Sequence, residues 1–186
     1  MKHRILLVED KEFEARAIKS ILQDNYEVTV AHKPIDASVI LELSHKEPNY
    51  KKRFSVAILD LSLQTKVGPP GVEGFHVLGI AIRDPFLIPI IFTGTGNKDK
   101  ERESLRRGGF RYIEKGSRDK GENAIARLQD AIRDALQERE KLIATFAGVA
   151  KLKATLSTGK EKNDFAMIYG LLRVRLYGRG KDDGTN

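Results

Sequence analysis

The sequence contains no cysteine among its 186 residues. The protein can therefore form no disulfide bond, and it can use neither a thiol nucleophile nor a zinc-thiolate site. Long apolar runs are also missing, since none approaches the roughly 20 residues that a membrane-spanning helix needs. Behind the basic residues 2–4, the first apolar stretch covers only residues 5–8, too short for a secretory signal. These absences predict a cytoplasmic protein.

The composition is that of a globular protein, with 40% apolar and 32% charged residues. A chain of 186 residues is long enough for one domain of usual size and a short appendage. The net charge of +7 is compatible with an acidic partner or nucleic acid. Because lysine and arginine are spread along the chain, a solvated basic surface accounts for this charge better.

Short apolar runs alternate with helical patterns over the first 125 residues. The central run, SVAILDLSL at 55–63, is unbroken from 56 to 59 and ends on Asp60, which is typical of a parallel strand buried on both faces. The other predicted strands are 4–8, 27–31, 89–92 and 111–113. Five such units predict an α/β fold: a doubly wound, five-stranded parallel sheet with right-handed crossovers.

The apolar spacing also predicts which helix faces point inward. In the first helix we expect an inner face of Phe13, Ala17, Ile21 and Leu22. In the second helix Pro34 suits the first turn, and the expected inner face is Ala37, Ile40, Leu41 and Ser44. The third and fourth helices are predicted at 74–83 and 99–107, and a last one begins near 122.

Polar residues follow the predicted strands where each one ends. Glu9 and Asp10 follow the first strand, Asp60 the third and Thr93 the fourth, and Lys115 comes just after the fifth. Parallel strands present their carboxyl ends on one side, so these residues are expected to face one crevice. Three carboxylates repel one another unless a hard cation joins them, and Mg²⁺ suits such oxygen ligands. A carboxylate can also attack a phosphoryl group and form an aspartyl phosphate.

Residues 4–120 resemble the receiver domain of two-component response regulators, whose fold is flavodoxin-like. The matching features are ILLVED, AILDLSL, GVEGFHVL, IIFTG and YIEKG. The resemblance implies that Asp60 accepts a phosphoryl group from a histidine kinase or phosphotransfer protein. It also implies that Glu9, Asp10 and Asp60 hold Mg²⁺ together with the backbone carbonyl of Ser62. Beyond self-phosphorylation and self-dephosphorylation, no enzymatic activity is expected.

The remaining site residues are assigned by the same resemblance. Thr93 and Tyr112 would form a switch in which the hydroxyl moves toward the phosphoryl group and the ring turns inward. Lys115 would contact the phosphoryl group directly, and the backbone at Ser62 and Gly94 would bind phosphate oxygens. The alternative interpretation of Tyr112 is a partly buried strand aromatic.

Three features depart from the usual receiver pattern. Gly74 lies fourteen residues after Asp60, so the loop at 61–72 carries about six extra residues. Gly94 stands where alanine is common, which should preserve close approach to the backbone. Gly116 stands where proline is usual, so no cis peptide is expected and the position of Lys115 is less constrained.

The predicted organisation is a receiver domain at 1–122, its last helix extended over 123–156, and a basic tail at 157–186. Apolar residues continue at spacings of three and four through the helix, interrupted by Arg139: Ile125, Leu128, Ile132, Ala135, Leu142, Phe146 and Val149. Such a helix could pair with a second copy of the chain or pack on its own domain. The tail is too short for a winged helix-turn-helix.

Three functional hypotheses follow. In the first, a phosphorylatable receiver signals to a downstream protein target through protein contacts. In the second, an interaction scaffold of the same fold never carries phosphate. In the third, the basic tail contacts nucleic acid, which we do not expect because a solvated face accounts for its charges.

Overall fold

The computed structural model describes residues 2–63, 72–94, 97–116 and 123–155. Its centre is a parallel sheet of five strands in the order β2-β1-β3-β4-β5. The strands are β1 (Arg4–Val8), β2 (Glu27–Ala31), β3 (Val56–Leu59), β4 (Ile88–Thr93) and β5 (Arg111–Glu114). The predicted doubly wound five-stranded parallel sheet is confirmed, and strand boundaries differ from the predicted ones by at most one residue.

In the described part of the chain, five helices cover the two faces of this sheet. They are α1 (Glu12–Leu22), α2 (Pro34–Lys46), α3 (Val72–Ala81), α4 (Lys98–Arg106) and α5 (Ala124–Thr155), and a short 3₁₀ turn lies at Tyr50–Lys52. Ile5 and Leu7 of β1 pack toward α1 and α5, whereas Leu6 and Val8 pack toward α2 and α3. Successive strand residues point to opposite faces, so every residue of a two-sided strand is buried. None of the described helices is long and apolar enough to span a membrane.

The predicted inner face of α2 is confirmed, whereas that of α1 is wrong except for Leu22. Phe13 is 85% exposed and Ile21 38% exposed, and the buried residues are Ala15, Ile18 and Leu22. Ala17 is exposed as well. The two sets share the same helical spacing, so periodicity alone cannot choose between them. Packing against the strand residues of the sheet selects the second set.

Helix α5 continues past the sheet, as predicted, and its extension packs on its own domain. Leu142 is buried, and the Phe146 ring stands edge-on to the Phe86 ring with their centroids 5.1 Å apart. Phe86 also contacts Tyr50 at 5.7 Å. Pairing with a second copy stays a prediction. The side chain of Val149, the boundary at 122 and the tail at 157–186 lie outside the described residues.

Arg139, which interrupts the apolar spacing of α5, is a buried anchor rather than an exposed break. Only 3% of its surface is exposed. Its Nε donates to the carbonyl oxygen of Phe86 at 2.9 Å, and its Nη2 donates to that of Tyr50 at 2.8 Å. Tyr50 lies in the 3₁₀ turn before β3 and Phe86 in the loop before β4, so Arg139 ties α5 to the amino edge of the sheet.

We expect Arg139→Met to lower the free energy of unfolding by about 2 kcal/mol, because two carbonyl oxygens lose a charged donor while the apolar stem is kept. Denaturant unfolding followed by circular dichroism measures this change. Arg133→Met is the matched control, since Arg133 lies on the same helix with 62% of its side chain exposed. Equal stability of the two variants would contradict the anchoring role.

Candidate functional site

Three carboxylates meet at the carboxyl edge of the sheet. Asp60 directly follows β3, and its backbone N–H donates to the Val8 carbonyl oxygen at 3.1 Å, which places it beside Glu9 and Asp10. One carboxylate oxygen from each of these three acidic residues lies within 4.8 Å of the others. Glu9 and Asp60 are almost fully buried. The structure therefore brings together the acidic residues that the sequence pattern predicted at one crevice.

Both oxygens of the Asp60 carboxylate accept hydrogen bonds. Oδ1 accepts from the backbone N–H of Ser62 and from the Thr93 hydroxyl, each at 2.7 Å. Oδ2 accepts from the Lys115 ammonium at 2.8 Å. The Thr93 hydroxyl also lies 2.9 Å from Ser62 Oγ. Donors from two neighbouring strands and from the loop after β3 thus fix the orientation of this carboxylate.

Lys115 brings the positive charge to the site. Its backbone N–H donates to the Thr93 carbonyl oxygen at 2.9 Å, and its ammonium contacts Asp60, Glu9 and Glu14. Burial alone would lower the pKa of Lys115, but the hydrogen bonds to Asp60 and Glu9 outweigh it and raise the pKa above its ordinary value. Lys115 is therefore a permanent cation beside Asp60.

The chemistry of the three carboxylates fits a hard divalent cation. Burial raises the pKa of Glu9, and the Asp60 charge adds to this, although Lys115 opposes both. The three carboxyl groups outnumber the Lys115 ammonium at this site. Carboxylate oxygens are the ligands that Mg²⁺ takes in proteins, so Glu9, Asp10 and Asp60 are suited to hold it.

Gly74 of α3 returns the chain to Asp60 after the enlarged loop. A Cβ built on Gly74 would lie 2.6 Å from Leu61 Cα and 2.8 Å from the Asp60 carbonyl oxygen, both backbone atoms. Only glycine permits this approach. Residues 64–71 of the predicted 61–72 loop lie outside the described residues. The extra residues therefore leave the contact between α3 and the backbone of Asp60 intact.

The resemblance assigns a switch role to Tyr112 and phosphate binding to the backbone at Gly94, and these roles stay predictions. Tyr112 belongs to β5 and is half-buried, and its hydroxyl is enclosed without a hydrogen-bond partner in the described part of the chain. Burial, and to a lesser extent Glu114, raise the pKa of Tyr112. Gly94 follows β4 and is exposed, and a Cβ there would meet no atom within 4 Å. The described backbone contains no cis peptide bond.

Glu14 is the site residue that the sequence pattern did not reveal. It lies on α1, and its Oε2 accepts from the Lys115 ammonium at 2.9 Å. Glu14 precedes the buried Ile18 by four residues, so both lie on the same side of the helix. Choosing the correct inner face of α1 would have pointed to Glu14 as a neighbour of the crevice.

No protein-family model matches the sequence, and no curated protein matches it. Solved structures do match. A CheY-like response regulator receiver domain protein from Methanospirillum hungatei is 26% identical, covers 76% of this chain and 98% of its own, and has a TM-score of 0.59. A response regulator receiver domain protein from Clostridium thermocellum is 25% identical, covers 75% of this chain and 98% of its own, and has a TM-score of 0.58.

A third match is the receiver domain of a LuxO-type repressor protein from Vibrio parahaemolyticus, which is 24% identical, covers 78% of this chain and 98% of its own, and has a TM-score of 0.59. In its fold and in the residues at the carboxyl edge of its sheet, the chain is similar to the receiver domains of response regulators. The resemblance seen in the sequence motifs is confirmed, and in architecture the chain is similar to the CheY-like receivers.

We expect Gly74→Ala to lower the free energy of unfolding by about 2 kcal/mol, because the new methyl group collides with backbone atoms that cannot turn away. Denaturant unfolding measures the loss. Gly79→Ala on the same helix is the control, because a Cβ there meets no atom within 4 Å. That variant should gain about 0.5 kcal/mol. Gly74→Ala and Gly79→Ala with the same stability would contradict the close approach.

We expect Mg²⁺ to stabilise the protein against unfolding, and a concentration ten times the dissociation constant should contribute about 1.4 kcal/mol. Asp10→Asn should lose most of this gain, because it removes one of the three carboxylates. Thermal unfolding with Mg²⁺ and after chelation measures it. Asp24→Asn, in the exposed turn after α1, is the control. Equal Mg²⁺-dependent stabilisation of Asp10→Asn and Asp24→Asn would show that the cation binds elsewhere.

Proposed function

We propose that this protein is a response regulator receiver that accepts a phosphoryl group on Asp60 from a histidine kinase or a phosphotransfer protein. It then signals to a downstream protein target through protein contacts. The observation that supports this most is the arrangement at Asp60. Its buried carboxylate lies next to two further carboxylates, and its oxygens accept hydrogen bonds from Thr93 and Lys115.

The transfer is a displacement at phosphorus. A carboxylate oxygen of Asp60 attacks, an O–P bond forms and the N–P bond of the phosphohistidine donor breaks. The electron pair of that bond returns to the imidazole nitrogen, which then takes up a proton. The product is an acyl phosphate, which water can hydrolyse back to the carboxylate. The only catalytic activity in this proposal is therefore self-phosphorylation and self-dephosphorylation.

Each residue around Asp60 has a role in this transfer. Glu9, Asp10 and Asp60 would hold Mg²⁺ with the carbonyl oxygen of Ser62, and the cation would neutralise charge on the transferred group. Lys115 places a second positive charge at the same oxygens. At Gly94 the open space beside the backbone lets phosphoryl oxygens approach its N–H.

Thr93 and Tyr112 connect the site to the rest of the domain. The Thr93 hydroxyl donates to Asp60, and a phosphoryl group on Asp60 offers it a new acceptor. Thr93 and Tyr112 lie on adjacent strands, where Ile91 pairs with Tyr112 and Thr93 pairs with Glu114. A hydroxyl that moves toward the phosphoryl group leaves room into which the Tyr112 ring can turn. This bistable pair would change the surface that a protein target contacts.

We expect acetyl phosphate with Mg²⁺ to add one phosphoryl group to the protein, and we expect Asp60→Asn to abolish this addition. Intact-protein mass spectrometry detects the added mass, and the acyl phosphate is identified by its lability to hydroxylamine. Asp36→Asn, in the exposed first turn of α2, is the control and should be labelled like the wild type.

Two outcomes would overturn the proposal. Labelling that survives Asp60→Asn would place the phosphoryl group elsewhere. A wild-type protein that is never labelled and binds no beryllofluoride would favour the scaffold that carries no phosphate.

The homodimer predicted through α5 has its own test, which is the molecular mass in solution with and without beryllofluoride.

A further inference from the structure

The Lys115 ammonium is held by three carboxylates, one of which is not a predicted metal ligand. The first two are Asp60 and Glu9. The third is Glu14, whose Oε2 lies 2.9 Å from Lys115 Nζ. An ammonium has three N–H donors and no acceptor. Each donor therefore has one carboxylate partner in this structure.

Two of these three partners are required elsewhere when the site works as proposed. Glu9 and Asp60 belong to the carboxylate cluster that would hold Mg²⁺, and Glu14 does not. Phosphorylation also removes the carboxylate charge of Asp60. Glu14 is then the carboxylate that can keep the ammonium in place while Glu9 turns to the cation.

The Glu14 carboxylate is itself fixed. Its Oε1 accepts from the Lys11 ammonium at 2.8 Å, while Oε2 faces Lys115. About a third of the Glu14 side chain is exposed. Burial acts to raise its pKa, but hydrogen bonds from Lys11 and Lys115 outweigh this and hold the pKa below its ordinary value. Glu14 is therefore ionised at neutral pH.

Gly116, directly after Lys115, adds no side chain to the site. Gly116 is exposed, and a Cβ built on it would meet no atom within 4 Å. Proline is usual at this position in receivers and would restrict the chain. With its backbone N–H held by the Thr93 carbonyl oxygen, Lys115 has an ammonium whose position is set by its contacts with Asp60, Glu9 and Glu14.

We propose that Glu14 is a positioning residue that keeps the Lys115 ammonium directed at the phosphoryl site when Mg²⁺ and the phosphoryl group engage Glu9 and Asp60. This inference rests on the proposed function and adds to it a fourth carboxylate, supplied by α1. Glu14 acts through Lys115 and contacts neither the phosphoryl group nor the cation.

Beryllofluoride binding in saturating Mg²⁺ tests this role. Glu14→Ala should raise the dissociation constant about fivefold, the effect of losing one charged contact at a partly exposed pair. Glu14→Gln keeps a neutral acceptor and should lie between the wild type and Glu14→Ala. Glu12→Ala is the matched control, because it removes the same charge from the same helix while Glu12 pairs with Arg16 at the surface.

A second readout follows the Lys115 ammonium itself. Its ¹H–¹⁵N signal in lysine-labelled protein, identified by its loss in Lys115→Arg, should be visible in the Mg²⁺-saturated wild type and in Glu12→Ala. It should broaden in Glu14→Ala, because an ammonium that has lost one of its three carboxylate partners exchanges its protons with water faster.

The outcomes separate the two proposals. Wild-type protein that binds no beryllofluoride overturns the proposed function and with it the role of Glu14. Wild-type binding with a Glu14→Ala variant that matches Glu12→Ala in affinity and in the Lys115 signal overturns the role of Glu14 alone. Tighter binding by Glu14→Ala also overturns it, since Glu14 would then compete for Lys115.

Discussion

The contact between the Lys115 ammonium and the Asp60 carboxylate holds the carboxyl edge of the sheet together. Asp60 and Glu9 are buried, and two buried carboxylates this close repel each other and lose their hydration. Lys115, which directly follows β5, compensates part of this cost. Glu9, Asp10 and Asp60 bring three carboxyl groups against this one ammonium. Such a set of carboxylate oxygens is suited to a hard divalent cation.

The sequence predicted the strands of the sheet more reliably than it predicted which face of each helix is buried. A buried parallel strand leaves a continuous apolar run such as 56–59, a pattern that few other elements of this length produce. An amphipathic helix leaves only a spacing, and α1 carries two apolar sets with the same spacing. The wrong set placed Phe13 in the core. It therefore gave no reason to expect Glu14 near the carboxylates of the site. Asp60 and Thr93 could be predicted as site residues because each lies at the carboxyl end of a predicted strand. That position does not depend on which helix faces are buried.

Long-range contacts made by polar groups could not be predicted for a related reason. Arg139 interrupts an apolar pattern in the sequence, yet its guanidinium reaches carbonyl oxygens of Tyr50 and Phe86 that are far away along the chain. Every residue has a backbone carbonyl, so no sequence motif shows which carbonyl oxygens a buried arginine will bind. The same holds for Gly74. A side chain is excluded there by the backbone atoms of Asp60 and Leu61, not by the residues next to Gly74 in the sequence.

The anchor at Arg139 also determines where the chain leaves the domain. Helix α5 begins near the carboxyl edge of the sheet, is tied down at the amino edge and continues to Thr155. Thr155 follows Arg139 by 16 positions, a rise of about 24 Å along a helix. Thr155 therefore lies beyond the amino edge of the sheet, on the side of the domain away from Asp60. Contacts made at that end of α5 would leave the carboxyl edge of the sheet uncovered.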